Sequence, residues 1–257
     1  MKTLEESVVI AMDGADKELF PYLPYILQDI WEIGTDPDTV RELIGKHFGD
    51  YENLKVLDLG CGKGAVSVKV AQKFKCNCHG IDAIDEFIQY AQGKAREYGV
   101  ENYCLFETGD IRTAVNHLPK YDIIILGAIG PVLGNYEKSL NTLKNCLKDD
   151  GIIIIDDAYI DNNSDFVHPL IVKYDELQRQ VKAAGMQIIE NLPVAKSEVI
   201  ESDDIILENL KKRCLELAQK HPQKQKLFAD YIKKQEHDSY VNAEKVICTN
   251  MVVKKSG

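Results

Sequence analysis

From residue 54 onward, short apolar runs alternate with amphipathic stretches, a rhythm that predicts strands alternating with helices. The runs DIIIL (122–126) and GIIIID (151–156) are apolar on both faces, which is typical of buried parallel strands. With right-handed crossovers, this series predicts a doubly wound α/β sheet with helices on both faces. The predicted strands lie near 55–59, 76–81, 103–107, 121–126 and 152–157, and the predicted helices near 63–74, 84–98 and 136–148.

The N-terminal region, residues 1–53, has a different pattern and predicts a helical cap of two helices. The first lies within 20–34, where apolar residues recur at helical spacing. The second lies within 35–49, with Asp36 as its cap and Pro37 in its first turn.

The region after residue 160 predicts further elements of the same domain, which we expect to span 54–257. These are a helix near 172–184, strands at 186–194 and 244–254, and amphipathic helices near 202–220 and 223–238. The two amphipathic helices form a helical insertion, about 196–240, before the last strand.

The stretch KVLDLGCGKGA (55–65) predicts a strand that enters a glycine-rich turn and then a helix. Its turn, Gly60-Cys61-Gly62-Lys63-Gly64, fits both G-x-G-x-G and the dinucleotide form G-x-G-x-x-A, and alone it is compatible with a turn that binds nothing. No Gly-Lys-Ser or Gly-Lys-Thr follows at the spacing of a P-loop, which excludes that kind of nucleotide site.

Three carboxylates follow or end successive strands, and they narrow the choice of ligand. Asp58 lies on the strand before the turn, where it would oppose a pyrophosphate and favour an ammonium or sulfonium group. Asp82 ends the second strand, where an acid accepts hydrogen bonds from the ribose of NAD or of an adenosyl ligand. Ala83 and Ile84 can flank an adenine ring, and Asp110 can either accept from its amino group or cap a helix.

Together these features resemble the class I S-adenosylmethionine-dependent methyltransferases. The resemblance rests on VLDLGCGKG (56–64), GIDA (80–83), GDI (109–111), YDIIILGAIG (121–130) and LKDDGIIIIDDAYI (147–160). It implies a seven-stranded, mostly parallel sheet, completed by the strands at 186–194 and 244–254, in which the last strand is antiparallel.

The same resemblance implies S-adenosyl-L-methionine as the cofactor. The residues it places around this cofactor are Asp58, Gly60, Cys61, Gly62, Gly64, Asp82, Ala83, Ile84, Asp110, Ile111, Leu126 and Gly127. Asp58 is expected near the methionyl amine, Asp82 on the ribose and Asp110 with Ile111 at the adenine. Leu126 and Gly127 are expected near the transferable methyl group.

The implied reaction is in-line methyl transfer to a small-molecule acceptor held at the ends of the fourth and fifth strands. Because the sulfonium already activates the methyl group, the protein must align the acceptor and exclude water, and only some acceptors need a base. Candidates to orient or deprotonate the acceptor are Asp157, Tyr159 and His168, each with an ordinary alternative as a cap, core or loop residue. The expected pocket also includes Tyr22, Tyr25, Trp31, Tyr136 and Asp156, and core packing is the alternative for the cap aromatics.

Composition is compatible with this interpretation. The 257 residues, 45% of them hydrophobic, suffice for one α/β domain with a cap. The sequence has no apolar run of the ~20 residues that span a membrane, and its first residues do not resemble a signal peptide. The seven cysteines fit neither a disulfide framework nor zinc-ligand spacing, so we expect reduced thiols, a cytoplasmic protein and no metal site.

Charge bears on the partners. The formal net charge is −10, and residues 1–53 contain 12 acidic and 4 basic side chains. An acidic cap repels phosphate backbones, so we expect no nucleic acid partner and a neutral or cationic acceptor.

Two alternative functions stay open: a non-catalytic protein that binds S-adenosylmethionine and a partner, and an NAD-dependent oxidoreductase, which Asp58 and Asp110 disfavour. The insertion can cap the pocket or form a homodimer interface.

Overall fold

Seven strands form one sheet in the computed structural model, which describes residues 2–257; Met1, the first residue of the predicted cap, lies outside this range. The strands are β1 (Lys55–Leu59), β2 (Asn77–Asp82), β3 (Cys104–Thr108), β4 (Tyr121–Gly127), β5 (Leu147–Tyr159), β6 (Met186–Pro193) and β7 (Ile247–Lys255). Their order is β3-β2-β1-β4-β5-β7-β6; β1 to β5 pair in parallel, and β7 is antiparallel to β5 and β6. The predicted sheet is therefore confirmed.

The helices of the described residues lie around this sheet. They are α1 (Leu4–Ala11), α2 (Leu23–Ile26), α3 (Pro37–His47), α4 (Ala65–Phe74), α5 (Asp85–Glu97), α6 (Ile111–Ala114), α7 (Tyr136–Leu143), α8 (Tyr174–Ala183), α9 (Lys196–Lys220) and α10 (Gln225–Glu244). Short 3-10 helices lie at Lys17–Tyr22, Gly130–Leu133 and Pro222–Lys224.

The sheet separates two hydrophobic layers because side chains alternate between its faces. Val56 and Ile154 point to the face covered by α3, α4 and α5, which we call the front face. Leu57 and Ile155 point to the back face, covered by α7 and α8. Since β1 lies between β2 and β4, its carboxyl end is the switch point at which open α/β sheets bind ligands.

The first predicted helix of the cap, within 20–34, is wrong. The chain forms the 3-10 helix Lys17–Tyr22, then the four-residue α2, and then turns. Pro24 prevents a helix that begins at residue 20, because a proline inside a helix removes a hydrogen-bond donor and its ring clashes with the preceding turn, but in the first turn of α2 it is tolerated and does not account for the end of α2 at Ile26. The apolar residues that recur at helical spacing, such as Leu27 and Ile30, are nevertheless buried, and turns rather than a helix place them in the core.

The other cap helices follow capping rules. The second predicted helix is confirmed as α3, with Pro37 in its first turn and Asp36 accepting hydrogen bonds from backbone N–H groups. The sequence prediction omitted α1, whose capping box of Thr3 and Glu6 is the signal that identifies it.

The insertion, α9 and α10, lies between β6 and β7 and packs against the cap. A third apolar cluster joins them through residues such as Leu23 and Phe228, and it includes Ile84 directly after β2. The Tyr25 hydroxyl donates a 2.6 Å hydrogen bond to Glu216 of α9. Cap and insertion therefore form one layer beside the carboxyl end of β2.

Among residues 2–257, no helix combines the length and the apolar composition needed to cross a bilayer. Over the same range, no group of three or more His, Cys, Asp or Glu side chains is placed to hold a metal ion. All seven cysteines are free thiols.

Candidate active site

The glycine turn after β1 has a backbone conformation that side chains disfavour. Gly60, Gly62 and Gly64 have φ angles of 72°, 51° and 73°, in the left-handed region. A Cβ atom at Gly60 would lie 2.5 Å from Cγ2 of Ile129, whereas one at Gly62 would meet nothing within 4 Å. Gly62 is itself buried, yet no other atom lies where its side chain would be, so a ligand could approach its backbone at the switch point of the sheet.

Asp58 lies on the front face directly below this turn. It is 3% exposed, and the Ser67 hydroxyl of α4 donates a 2.7 Å hydrogen bond to its carboxylate. Burial raises the pKa of Asp58 to about 6, the Ser67 hydrogen bond opposes the rise, and the nearby charge of Asp82 adds to it. The carboxylate has no cationic partner among the described residues, so it is placed to meet a cationic ligand.

Asp82 ends β2 on the same face, and its carboxylate holds the glycine turn. Its two oxygens accept 2.9 Å hydrogen bonds from the backbone N–H groups of Gly62 and Ile84. Burial raises the pKa of Asp82, and these hydrogen bonds oppose the rise. Each oxygen keeps a further lone pair for an additional donor. The thiol of Cys61 lies beside both acids, and burial, followed by the charges of Asp58 and Asp82, raises its pKa.

Asp110 is placed differently from the other two acids. It caps α6, and its carboxylate pairs side-on with the Arg112 guanidinium, at 2.7 Å for the shortest contact. The hydrogen bond from Arg112 is the main reason why the pKa of Asp110 is lowered. Arg112 also donates to Ser7 of α1, at 2.7 Å, so this pair attaches the N-terminal helix. The role of Asp110 at adenine stays a prediction.

Lys63 lies in the glycine turn, and the sequence analysis gave it no role. It hydrogen-bonds the cap to the site. It is 4% exposed, and its ammonium group donates to the carbonyl oxygens of Leu27 and Ile30 at 2.5 and 2.7 Å. Trp31 Nε1 in turn donates to the Lys63 carbonyl at 3.1 Å. Burial lowers the pKa of Lys63 to about 8. Sequence reasoning missed this residue because its partners are backbone carbonyls, which leave no signal in the sequence.

The consecutive acids at the end of β5 point to opposite faces of the sheet. Asp156 follows Ile154 on the front face, where burial raises its pKa to about 6, and Asp157 and Asp36 contribute to the rise. Asp157 follows Ile155 on the back face and accepts a 2.7 Å hydrogen bond from the Tyr136 hydroxyl. Only Asp156 therefore shares a face with Asp58 and Asp82.

The other acceptor-site candidates lie apart from the front-face carboxylates. Tyr159 is 7% exposed in the back-face core and packs on Tyr174, with ring centroids 4.6 Å apart. His168 lies in a loop, where its Nδ1 accepts a 3.1 Å hydrogen bond from the N–H of Ile171, and burial lowers its pKa. The catalytic roles predicted for Asp157, Tyr159 and His168 stay predictions.

The remaining candidates are mostly apolar positions around the site. Tyr22 packs edge-on against Phe228 of α10, with ring centroids 5.1 Å apart, so like Tyr25 it faces the insertion. Ile84, Ile111 and Leu126 are buried, at 3%, 7% and 7% exposure, whereas Ala83 is half-buried. Gly127 ends β4 beside Thr35 of the cap.

A family model described as a methyltransferase domain matches residues 50–245, which is most of the chain. Over 102 residues the chain is 33% identical to (S)-coclaurine N-methyltransferase of Papaver somniferum, covering 39% of this chain and 28% of that protein. Over 118 residues it is 33% identical to ubiquinone biosynthesis O-methyltransferase of Rickettsia canadensis, covering 45% of this chain and 48% of that protein. The chain thus spans less than half the length of these relatives.

The fold is shared with solved structures. One is the SAM-dependent methyltransferase of Geobacter sulfurreducens in complex with S-adenosyl-L-homocysteine, with a TM-score of 0.72 and 18% identity. The match covers 91% of this chain and 98% of that one, and at this identity it is evidence for the fold alone. Since the family model itself covers well over half of the chain, the resemblance is confirmed, and the chain belongs to the class I S-adenosylmethionine-dependent methyltransferases.

Proposed function

We propose that this protein transfers the methyl group of S-adenosylmethionine to a small-molecule acceptor bound at the carboxyl ends of β4 and β5. The observation that carries the proposal is the pair of buried carboxylates, Asp58 and Asp82, on one face of the sheet beside an open glycine turn.

The residues at the switch point fit this cofactor in three respects. The bare backbone at Gly62 lets a ligand approach closely. The free lone pairs of Asp82 suit the two hydroxyl donors of a ribose. Asp58, a buried carboxylate, suits the positive charge of the methionyl amine and sulfonium and would oppose the pyrophosphate of NAD.

The mechanism assigns each part of this site a task. The bound sulfonium supplies an electrophilic methyl group, so the chain need only orient the reactants and exclude water. Asp82 would fix the ribose, while Lys63 and Trp31 hold the cap against the glycine turn and limit the access of water. The ends of β4 and β5 would align the acceptor with the methyl group.

The acceptor is proposed as a class only. The similar proteins include an N-methyltransferase and an O-methyltransferase of small molecules, which supports a small acceptor without choosing the methylated atom. The acidic cap supports a neutral or cationic acceptor. We also retain as proposals the division into a cap (1–53) and a catalytic domain (54–257), a cytoplasmic location, and a homodimer built on the insertion.

Calorimetric titrations with S-adenosylmethionine, S-adenosylhomocysteine and NAD test the cofactor, and a labelled methyl donor with pooled metabolites tests the reaction. We expect binding of both adenosyl compounds, no binding of NAD, and label in at least one metabolite. Binding of NAD without binding of either adenosyl compound would contradict the proposal. Tight binding of S-adenosylhomocysteine without any methyl transfer would instead favour a non-catalytic binding protein.

A further inference from the structure

A row of polar groups crosses the front face at the carboxyl edge of the sheet, next to the cofactor residues. In the strand register Gly127 of β4 is paired with Asp156 of β5, which is paired with Asn250 of β7. Thr35 of the cap lies above this row, since its Oγ1 would be 2.6 Å from a Cβ atom at Gly127. Side chains on adjacent strands at one register position point to the same face, so these groups are neighbours.

Two members of this row have unused hydrogen-bonding atoms. Thr35 and Asn250 are 3% and 4% exposed, and neither Thr35 Oγ1 nor Asn250 Oδ1 has a hydrogen-bond partner among residues 2–257. The Thr35 hydroxyl is close enough to Asp156 to lower its pKa, although it completes no hydrogen bond. Buried polar atoms are nearly always paired, so two orphaned atoms in one row indicate a ligand that pairs them.

The charge around the row selects the ligand. Beside burial and the Thr35 hydroxyl, the charged groups that shift the pKa of Asp156 are acidic, namely Asp157 and Asp36, and Asp203 of the insertion acts with Asp156 on the thiol of Cys248. Within the described part of the chain, no Lys, Arg or His forms an ion pair with Asp156. Asp156 therefore has acidic neighbours and no cationic partner among the described residues.

The number of N–H or O–H donors on the ligand then indicates whether the methylated atom is nitrogen or oxygen. A carboxylate, a hydroxyl and an amide oxygen can all accept, and an ammonium group has up to three N–H donors, whereas an alcohol or phenol has one. We propose that Thr35, Asp156 and Asn250 hold the nitrogen of the methyl acceptor, so that the substrate is a small primary amine, whose ammonium has one N–H donor for each of the three groups. This inference rests on the proposed function and specifies its substrate class.

The chemical step balances with these groups alone. The bound ammonium passes one proton to the Asp156 carboxylate, which leaves a neutral nitrogen with a lone pair. That lone pair forms the new N–C bond while the C–S bond breaks, and the electron pair of the C–S bond stays on sulfur. The products are an N-methylammonium and S-adenosylhomocysteine, and the proton on Asp156 returns to solvent.

The test uses the full chain, a ¹³C-methyl-labelled donor and a low-molecular-weight metabolite extract divided by cation exchange into cationic and non-cationic fractions. We expect label in the cationic fraction, with the carbon chemical shift of an N-methyl group. Label found only as O-, S- or C-methyl would overturn the amine while leaving the proposed function intact. No label in any fraction, with S-adenosylhomocysteine still bound, would overturn both.

Variants then locate the site. Asp156→Asn should lower the rate of N-methylation about 100-fold or more, as the loss of a positioned proton acceptor does, without changing the affinity for S-adenosylhomocysteine. It should also weaken calorimetric binding of the purified N-methylated product to protein saturated with S-adenosylhomocysteine. The matched control is Asp150→Asn, the same change at an exposed position of the same strand, which should behave like the wild type.

Thr35→Val, nearly identical in shape, keeps the inference testable if Asp156→Asn does not fold. It should raise the KM for the amine with little effect on kcat, because the hydroxyl binds the nitrogen and takes no proton. Unchanged amine kinetics and product binding in the folded variants would overturn the assignment of these residues.

Discussion

Replacing Asp58 with asparagine tests whether this buried carboxylate is retained for ligand binding at the expense of folding stability. The pKa of Asp58 rises from 3.8 to about 6, chiefly through burial. At about 1.4 kcal/mol per pH unit, this difference corresponds to about 3 kcal/mol of folding free energy.

The sign follows from the raised pKa. Because the folded state binds the proton more tightly than the unfolded state, the stabilisation from Asp58 is fully present below pH 3.8. It is lost as the pH rises through 6. An asparagine does not ionise, and it can still accept the hydrogen bond from Ser67. Asp58→Asn should therefore gain stability relative to the wild type as the pH rises, by about 2.4 kcal/mol between pH 4 and pH 7.5, since part of the change already occurs below pH 4.

Urea unfolding of both proteins at several pH values measures this difference, and calorimetry at pH 7.5 measures binding. Buried acids that do not act on Asp58, such as Asp156, contribute equally to both proteins and cancel in the comparison, whereas Asp82, whose charge raises the pKa of Asp58, does not cancel completely. The same variant should bind S-adenosylmethionine more weakly, because the ligand loses a carboxylate facing its cationic end. A stability difference that is constant between pH 4 and pH 7.5 would refute the reasoning.

Three further predictions concern other contacts of the site. Asp82→Ala should weaken binding of S-adenosylhomocysteine by about 1–3 kcal/mol in calorimetry, and unchanged affinity would remove this residue from the ribose site. Tyr136→Phe should lower the free energy of unfolding by about 1–3 kcal/mol in urea titrations, because it leaves the buried carboxylate of Asp157 without its hydroxyl donor. Lys63→Met should accelerate amide hydrogen exchange in the cap segment 27–36, since two carbonyl hydrogen bonds are lost; exchange equal to that of the wild type would show that other contacts hold the cap.

The core of the fold could be predicted because its strands are buried on both faces. Runs such as 122–126 are apolar at every position, a pattern that strongly favours a central parallel strand. The cap could not be predicted equally well, since the apolar spacing within 20–34 does not distinguish a helix from a series of packed turns. Pro24 argues against a helix that begins at residue 20, but it does not exclude one that begins at Leu23, so the sequence left the end of α2 at Ile26 open.

The candidate site divides in the same way. The placement of the glycine turn, Asp58 and Asp82 together at one end of the sheet could be predicted because strand, turn and acid follow one another in the chain. The choice between Asp156 and Asp157 could not be made, because neighbouring residues of a strand point to opposite faces and the sequence does not state which face is which. Asn250 was missed because its place beside Asp156 depends on the pairing of β5 with β7, which are far apart in sequence.

Both buried side-chain atoms that lack a hydrogen-bond partner among residues 2–257 lie along the front carboxyl edge of the sheet, which supports the proposed position of the methyl acceptor. Asp58 and Asp156 are acids whose pKa is raised by burial, and Thr35 and Asn250 have unpaired buried atoms. Ala128, directly after β4, has a φ of 53°, a conformation that non-glycine residues rarely adopt. On the back face, burial raises the pKa of the adjacent acid Asp157 as well, but its carboxylate accepts a hydrogen bond from the Tyr136 hydroxyl. Unpaired buried polar atoms persist where a ligand pairs them, so we expect the methyl acceptor to bind at the edge that carries Thr35 and Asn250.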